Sequence, residues 1–428
     1  MSSARSVLDR ALAPLRSTAA DRLVRNAGWM WVNVGLSSCL GLLGWVIAAH
    51  FYPPREVGAV AATVAVSNFI ATAAALGLVE TTIRHLEGVE NQRRFMARNC
   101  LLVGLAGLVG GVLWWVLTHH LLRSEGIGPW LELGILCGSA AAVTVNVVTD
   151  GAIIAARRPA LLLFENTIGG LMRLSAIAFV SLGALGLLLS WSLAAVTGVL
   201  VSLFVVFRLV GIRHSGAVRV PRVHAFAASN WVSGMASLLT PAVTPLLVAT
   251  SQGSRAATWV AIPLLTVPLL TAIPALLARS LFAEASKSPA RLSHLFWRVL
   301  PRSLALTAVS SGVVAIAAPF VLGWFGPAYA AHSTTLLRLL ALSAFISAPN
   351  FLADTVLNVR RDVSGYAWAN VLGSCACLGA VIAVIPGSPT AVGWAWVVGQ
   401  AAYGAISCSL VILRRHRGDR FTSAVAPS

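Results

Sequence analysis

Twelve apolar runs, each of roughly twenty residues or more, follow one another along this chain, at 28–50, 56–78, 100–121, 129–150, 160–182, 185–208, 230–250, 256–279, 300–323, 333–357, 365–386 and 390–413. At about 1.5 Å rise per residue, a helix of this length crosses a hydrocarbon core of about 30 Å. Lipid offers backbone amides no partners, so runs of this kind must be helical. Only 11% of residues are charged, against about a quarter in soluble domains. The chain therefore reads as an all-α integral membrane protein with twelve transmembrane helices. The first two runs carry no charge in their cores, yet both hold polar side chains: Asn33, Ser37 and Ser38 in one, Ser67 and Asn68 in the other. Such groups need something to line.

The net charge of +17 invites a nucleic-acid reading. The placement of the basic residues argues against it. With the N-terminus taken as cytoplasmic, 26 of the 31 basic residues fall in the tail, the even-numbered links and the C-terminus. The outer links hold only Arg55, Arg123 and Arg255, and Arg173 and Arg338 fall within spans. A missed or invented span would scramble this alternation, so the positive-inside rule supports both the count and the orientation. Both termini are expected in the cytoplasm. Residues 1–27 form a basic segment that either lies on an anionic leaflet as an amphipathic helix or stays a free tail. No stretch of signal-peptide length and hydrophobicity precedes the first run. Cys39, Cys100, Cys137, Cys375, Cys377 and Cys408 all lie in or beside apolar runs, without metal-ligand spacing, and read as packing residues.

A link at 211–229, with Pro221 and three arginines, divides six spans from six. An even number per half leaves both halves in the same orientation, related by a pseudo-two-fold axis along the membrane normal. The expected domains are a lobe at 28–210, the linker, a lobe at 230–413 and a cytoplasmic tail at 414–428. Each half opens with a polar stripe at helical spacing: Asn26, Asn33, Ser37, Gly41 and Gly44 on span one, and Asn230, Ser233, Ser237, Thr240 and Thr244 on span seven. A lone Ser or Thr commonly bonds back to its own helix, but two matched stripes point to a shared cavity. Spans seven and eight also hold Pro241, Pro245, Pro263, Pro268 and Pro274. They are the expected bending elements, with static kinks as the alternative.

Several stretches carry a resemblance: Phe51-Tyr-Pro-Pro-Arg-Glu-Val-Gly58, Ala75-Leu-Gly-Leu-Val-Glu-Thr-Thr-Ile-Arg84, Asp150-Gly-Ala-Ile-Ile-Ala-Ala-Arg-Arg158, Phe325-Gly-Pro-Ala-Tyr329 and Asn358-Val-Arg-Arg361. Across essentially its whole length the chain resembles bacterial polysaccharide-export flippases of the multidrug/oligosaccharidyl-lipid/polysaccharide (MOP) superfamily. That resemblance implies two six-helix lobes around a central cavity lined by spans one, two, seven and eight. The cavity would open alternately to each side of the plasma membrane and move a polyprenyl-pyrophosphate-linked glycan outward. It also implies an ion gradient, of protons or sodium, as one source of drive. The partners implied are the glycan lipid, the membrane and polysaccharide-assembly proteins around a monomer. No cofactor or metal is expected.

Ionisable groups inside spans cost about 2.5–3.5 kcal/mol on insertion scales and so need a reason. Arg173 shares a face with Asn166, Gly169 and Gly170. It is a candidate for an anionic headgroup, against a structural bond to Glu165 or to backbone carbonyls. Arg338 fits a side chain reaching outward. Asp354, sharing a face with Ser347, Asn350 and Asn358, is the candidate for ion coupling, against pairing with Arg360 or Arg361. Asn33, Ser37, Asn68, Asn230, Ser233 and Ser237 complete the substrate candidates, with Arg22, Arg25 and Arg84 at the cytoplasmic mouth. Three function classes compete. A drug antiporter would be expected to carry a carboxylate on spans one, two, seven or eight, and none is there. An embedded transferase needs a positioned acid, base or nucleophile, and no carboxylate pair, span-core histidine or large outer loop suggests one. The flippase reading leads.

Overall fold

The computed structural model describes residues 29, 32–89, 91–123, 128–156, 158–210, 223–285, 291–360, 362–385 and 387–414. Its spans are Val32–Phe51, Pro54–Ala74, Gln92–Leu122, Pro129–Ala155, Pro159–Leu182, Ala184–Leu209, Asn230–Gln252, Ser254–Phe282, Leu292–Gly323, Pro327–Val359, Ser364–Val384 and Pro389–Leu413, numbered one to twelve below. Proline opens spans two, four, five, ten and twelve. At a first helical turn its missing N–H costs nothing and its fixed φ favours the helix. Side chains cap two starts, Asp362 accepting from Gly365 N before span eleven and Ser388 from Ala391 N before span twelve.

The helices form two six-helix lobes. In the first, span four packs on spans three and six, and span six on span five. In the second, span ten packs on spans nine and twelve, and span eleven on spans seven and twelve. Small residues set the closest approaches. A Cβ on Gly111 would come within 2.4 Å of Cys137 Cα, and one on Gly399 within 2.6 Å of Cys377 Cα. Lipid gives no hydrophobic drive between helices, so such close backbone contact supplies the packing energy. Cys137 and Cys377 are thus packing residues, as their neighbours in sequence suggest.

Spans three and nine extend further than expected, so Arg93, Arg94, Arg98, Arg298 and Arg302 lie on helices that run past the hydrocarbon. The linker expected at 211–229 is helical from Val223 onward, and 211–222 lie outside the described residues. Just past span two, Leu76 and Gly77 are both at positive φ, and a short helix Leu78–His85 follows.

Prolines act unequally. Span seven stays continuous through Pro241 and Pro245. Span eight breaks into Ser254–Leu264, Val267–Leu270 and Ala272–Ala285. Pro263 removes the N–H that would bond the Trp259 carbonyl, and Ser333 Oγ on span ten donates to it at 2.9 Å. On span nine, Pro319 likewise frees the Ala315 carbonyl, and Arg338 Nε donates to it at 3.1 Å. The exposed Arg338 therefore has a structural bond in addition to its place near the surface. Span five, which holds no proline after its first residue, tightens into a 3-10 helix over Arg173–Leu182, a form that seldom runs beyond one turn.

Candidate functional site

A cavity of about 890 Å³ opens among spans two, seven, eight, ten, eleven and twelve. Its lining runs from mid-membrane toward the arginine-rich face, where Phe282 and Asn358 are exposed. Toward the opposite face the lobes meet. Thr258 Oγ1 on span eight donates to the Pro54 carbonyl on span two at 2.6 Å. Gly58 lies so close to Ser254 that a Cβ there would sit 1.7 Å from its carbonyl oxygen. Tyr52, in the turn before span two, donates to Ala176 O at 2.7 Å. Burial, and then the nearby Glu56, push its phenol up to about 12, so it stays a donor. Span two also touches span seven at the arginine-rich face, where Trp231 Nε1 donates to Ala73 O at 2.8 Å.

The cavity wall is polar chiefly on the side of spans ten to twelve. Asp354 Oδ2 accepts from Asn370 Nδ2 at 3.4 Å, and the same amide nitrogen donates to Tyr366 O at 2.9 Å. Tyr403 OH donates to Asn370 Oδ1 at 2.6 Å, which fixes the amide's orientation. Asp354 Oδ1 has no donor, and neither polar atom of Asn350, one turn earlier, has a partner, although Asn350 is 4% exposed. Arg360 turns to Val411 O at 3.1 Å, and Arg414 pairs with Asp362 at 2.9 Å. Arg361 lies outside the described residues. Among the described residues, then, Asp354 bonds an amide and no cation. A carboxylate placed this way can hold a proton or a small cation, and the amides and hydroxyls beside it can bond a polar ligand.

Four of the residues named from sequence line this cavity: Asn68, Asn230, Ser237 and Asp354. Four do not. Asn33 and Ser37 lie on span one, no described residue of which lines the cavity. Asn33 Oδ1, Ser37 Oγ and Ser233 Oγ are buried without partners. Arg173 lies in the first lobe with its guanidinium 4.5 Å from the Trp191 ring centroid, a cation–π stack. Gly41 and Gly44 of span one make room for it, since a Cβ at either would come within 3.2–3.3 Å of its side chain. Its Nε is unbonded, and Glu165 accepts nothing from it. Arg22 and Arg25 lie outside the described residues, as does the side chain of Arg84. The lining therefore departs from the expected set of spans one, two, seven and eight. Span one is absent and spans ten, eleven and twelve contribute. Sequence reading missed Asn370, Gln400 and Tyr403, although an amide inside an apolar run is the same signal that marked Asn68.

No family model and no curated protein matches the chain. Its structure is similar to solved transporters. A multidrug-resistance MATE-family transporter of the MOP superfamily, in its inward-facing conformation, superposes with TM-score 0.65 at 14% identity, over 93% of this chain and 100% of that one. A MOP-superfamily transporter from Pyrococcus furiosus, described as having a binding pocket of reversed polarity, gives 0.63 at 12%, over 93% and 96%. The lipid II flippase MurJ, in an inward closed conformation, gives 0.66 at 11%, over 93% of each chain. The chain therefore shares its two-lobe helical fold with these solved proteins, a multidrug-resistance transporter and a lipid flippase among them.

Proposed function

We propose that this protein is a flippase that carries a polyprenyl-pyrophosphate-linked oligosaccharide from the cytoplasmic to the outer leaflet for cell-surface polysaccharide assembly. The observation that carries this reading is the make-up of the cavity wall. Asn68, Asn230, Ser237, Asn350 and Gln400 offer amides and a hydroxyl, and Trp396 and Tyr403 offer ring faces. Uncharged hydrogen-bonding groups beside aromatic rings suit a saccharide, whose hydroxyls need donors and acceptors and whose C–H faces pack on rings. The arginine-rich face, read as cytoplasmic, supplies the positive potential that draws in a pyrophosphate. Asp354 couples the movement to a proton or sodium gradient. Asn33, Ser37, Ser233 and Arg173, outside the cavity in this conformation, are the groups that the outward-open state would present.

One observation favours a second reading. Among the described residues, the only charged group lining the cavity is the carboxylate of Asp354, as an exporter of cationic drugs would require, and a MATE-family transporter is among the structural neighbours. Depleting the protein in its host and profiling polyprenyl-linked glycans by mass spectrometry separates the two. The flippase reading predicts build-up of one complete lipid-linked repeat unit on the cytoplasmic leaflet. An unchanged lipid-glycan profile together with new sensitivity to cationic dyes would replace it with drug export.

A further inference from the structure

Away from the cavity, a second polar set is buried in the first lobe. Asn146 and Asp150 on span four, Glu165 on span five and Ser202 on span six all lie in the third of the lobe nearest the arginine-rich face. Glu165 is 1% exposed and faces Asp150, Asn146 and Ser202. Counting donors shows what is missing. Ser202 gives its proton to Thr149 Oγ1, and Thr149 passes its own to the Val145 and Asn146 carbonyls. Both hydroxyl protons are therefore spent elsewhere. Asp150 Oδ1, both oxygens of Glu165 and Asn146 Oδ1 are left buried with no donor in bonding geometry.

Among the described residues no protein cation compensates. Arg158, at the start of span five, donates to Leu209 O at 2.6 Å. Arg208 is exposed, and Arg173, about two turns beyond Glu165 along span five, lies over Trp191. The helix Leu78–His85 packs on span four through Val79 and Ile83 against Gly151. That helix also carries His85, which is half-buried and has an interaction of its own, and Glu80 and Arg84, whose side chains lie outside the described residues. Two carboxylates held side by side out of water, with no cation paired to them among the described residues, lack one positive charge.

We propose that Asp150 and Glu165, with Asn146 and Ser202, form a second cation site, in the first lobe, that takes one small monovalent cation: Na⁺ or a proton. Three helices donate to it, so its occupancy ties spans four, five and six together at the arginine-rich end of the lobe. It is separate from Asp354 and does not depend on the identity of the cargo.

The test uses purified full-length protein in an Asp354→Asn background, so that any signal comes from the first lobe and the proposed role of Asp354 can fail independently. Radioactive sodium binding reads the sodium form. An infrared difference spectrum reads the carbonyl stretch of a protonated, buried carboxylic acid. We expect either about one bound Na⁺ per chain or that carbonyl band, and loss of the signal in Glu165→Gln. Asp150→Asn should lose it as well, which keeps the test open if Glu165→Gln does not fold. Sodium binding with no acid band assigns the site to sodium, and the reverse assigns it to the proton. Absence of both signals, or a signal that survives both substitutions, would overturn the site.

Discussion

At the scale of single residues, the chemistry rests on polar groups held in place by one another. Tyr403 fixes Asn370, and Asn370 presents its amide to Asp354 while the other carboxylate oxygen is buried without a donor. Replacing Asp354 with Asn keeps the shape and removes the charge. Transport in vesicles should then fall on the order of tenfold and lose its dependence on the imposed cation gradient, the size of effect expected when a coupling of about 1–3 kcal/mol is removed. Binding of the cargo should persist. A variant that still answers to the gradient would place the coupling elsewhere. Asp354 was legible in the sequence because an acid in an apolar run needs a reason. Asn370 and Tyr403 were not, because helical spacing shows which residues share a face but not which helix that face meets.

At the scale of elements, the same limit explains what prolines reveal. Five prolines marked spans seven and eight equally, yet span seven runs through two of them and span eight breaks around three. What differs is the partner available to each freed carbonyl, and that partner comes from another helix. Ser333, fully buried, serves the Trp259 carbonyl that Pro263 releases. Ser333→Ala should therefore lower stability by about 1–2 kcal/mol, the cost of an orphaned buried carbonyl. In a Pro263→Ala background, where the N–H returns, the same change should cost little. A double-mutant cycle by thermal melting measures this coupling, and equal costs in both backgrounds would refute it. The spans themselves were legible to within a few residues for most of the chain, because hydrocarbon thickness and charge asymmetry are written into every run. The 3-10 stretch of span five was not, because nothing in Arg173–Leu182 breaks a helical pattern. It accompanies contacts from elsewhere, Tyr52 on Ala176 O and Arg173 over Trp191.

For the whole molecule, span two is the element through which the lobes meet, against span eight toward the opposite face and span seven at the arginine-rich face. The cavity is shut where Gly58 touches Ser254. Alternating access requires that contact to form and release in each cycle. A bulky side chain at Gly58 cannot coexist with it and should hold the protein open to the opposite face. The measurement that tests the account most directly follows a fluorescent polyprenyl-pyrophosphate oligosaccharide in proteoliposomes, comparing the parent with a folded Gly58→Leu protein. The account predicts that the parent moves the lipid between leaflets and that Gly58→Leu does so on the order of tenfold more slowly or not at all. A parent that leaves the glycolipid in place while moving a cationic dye, or a Gly58→Leu protein that flips at the parental rate, would contradict it.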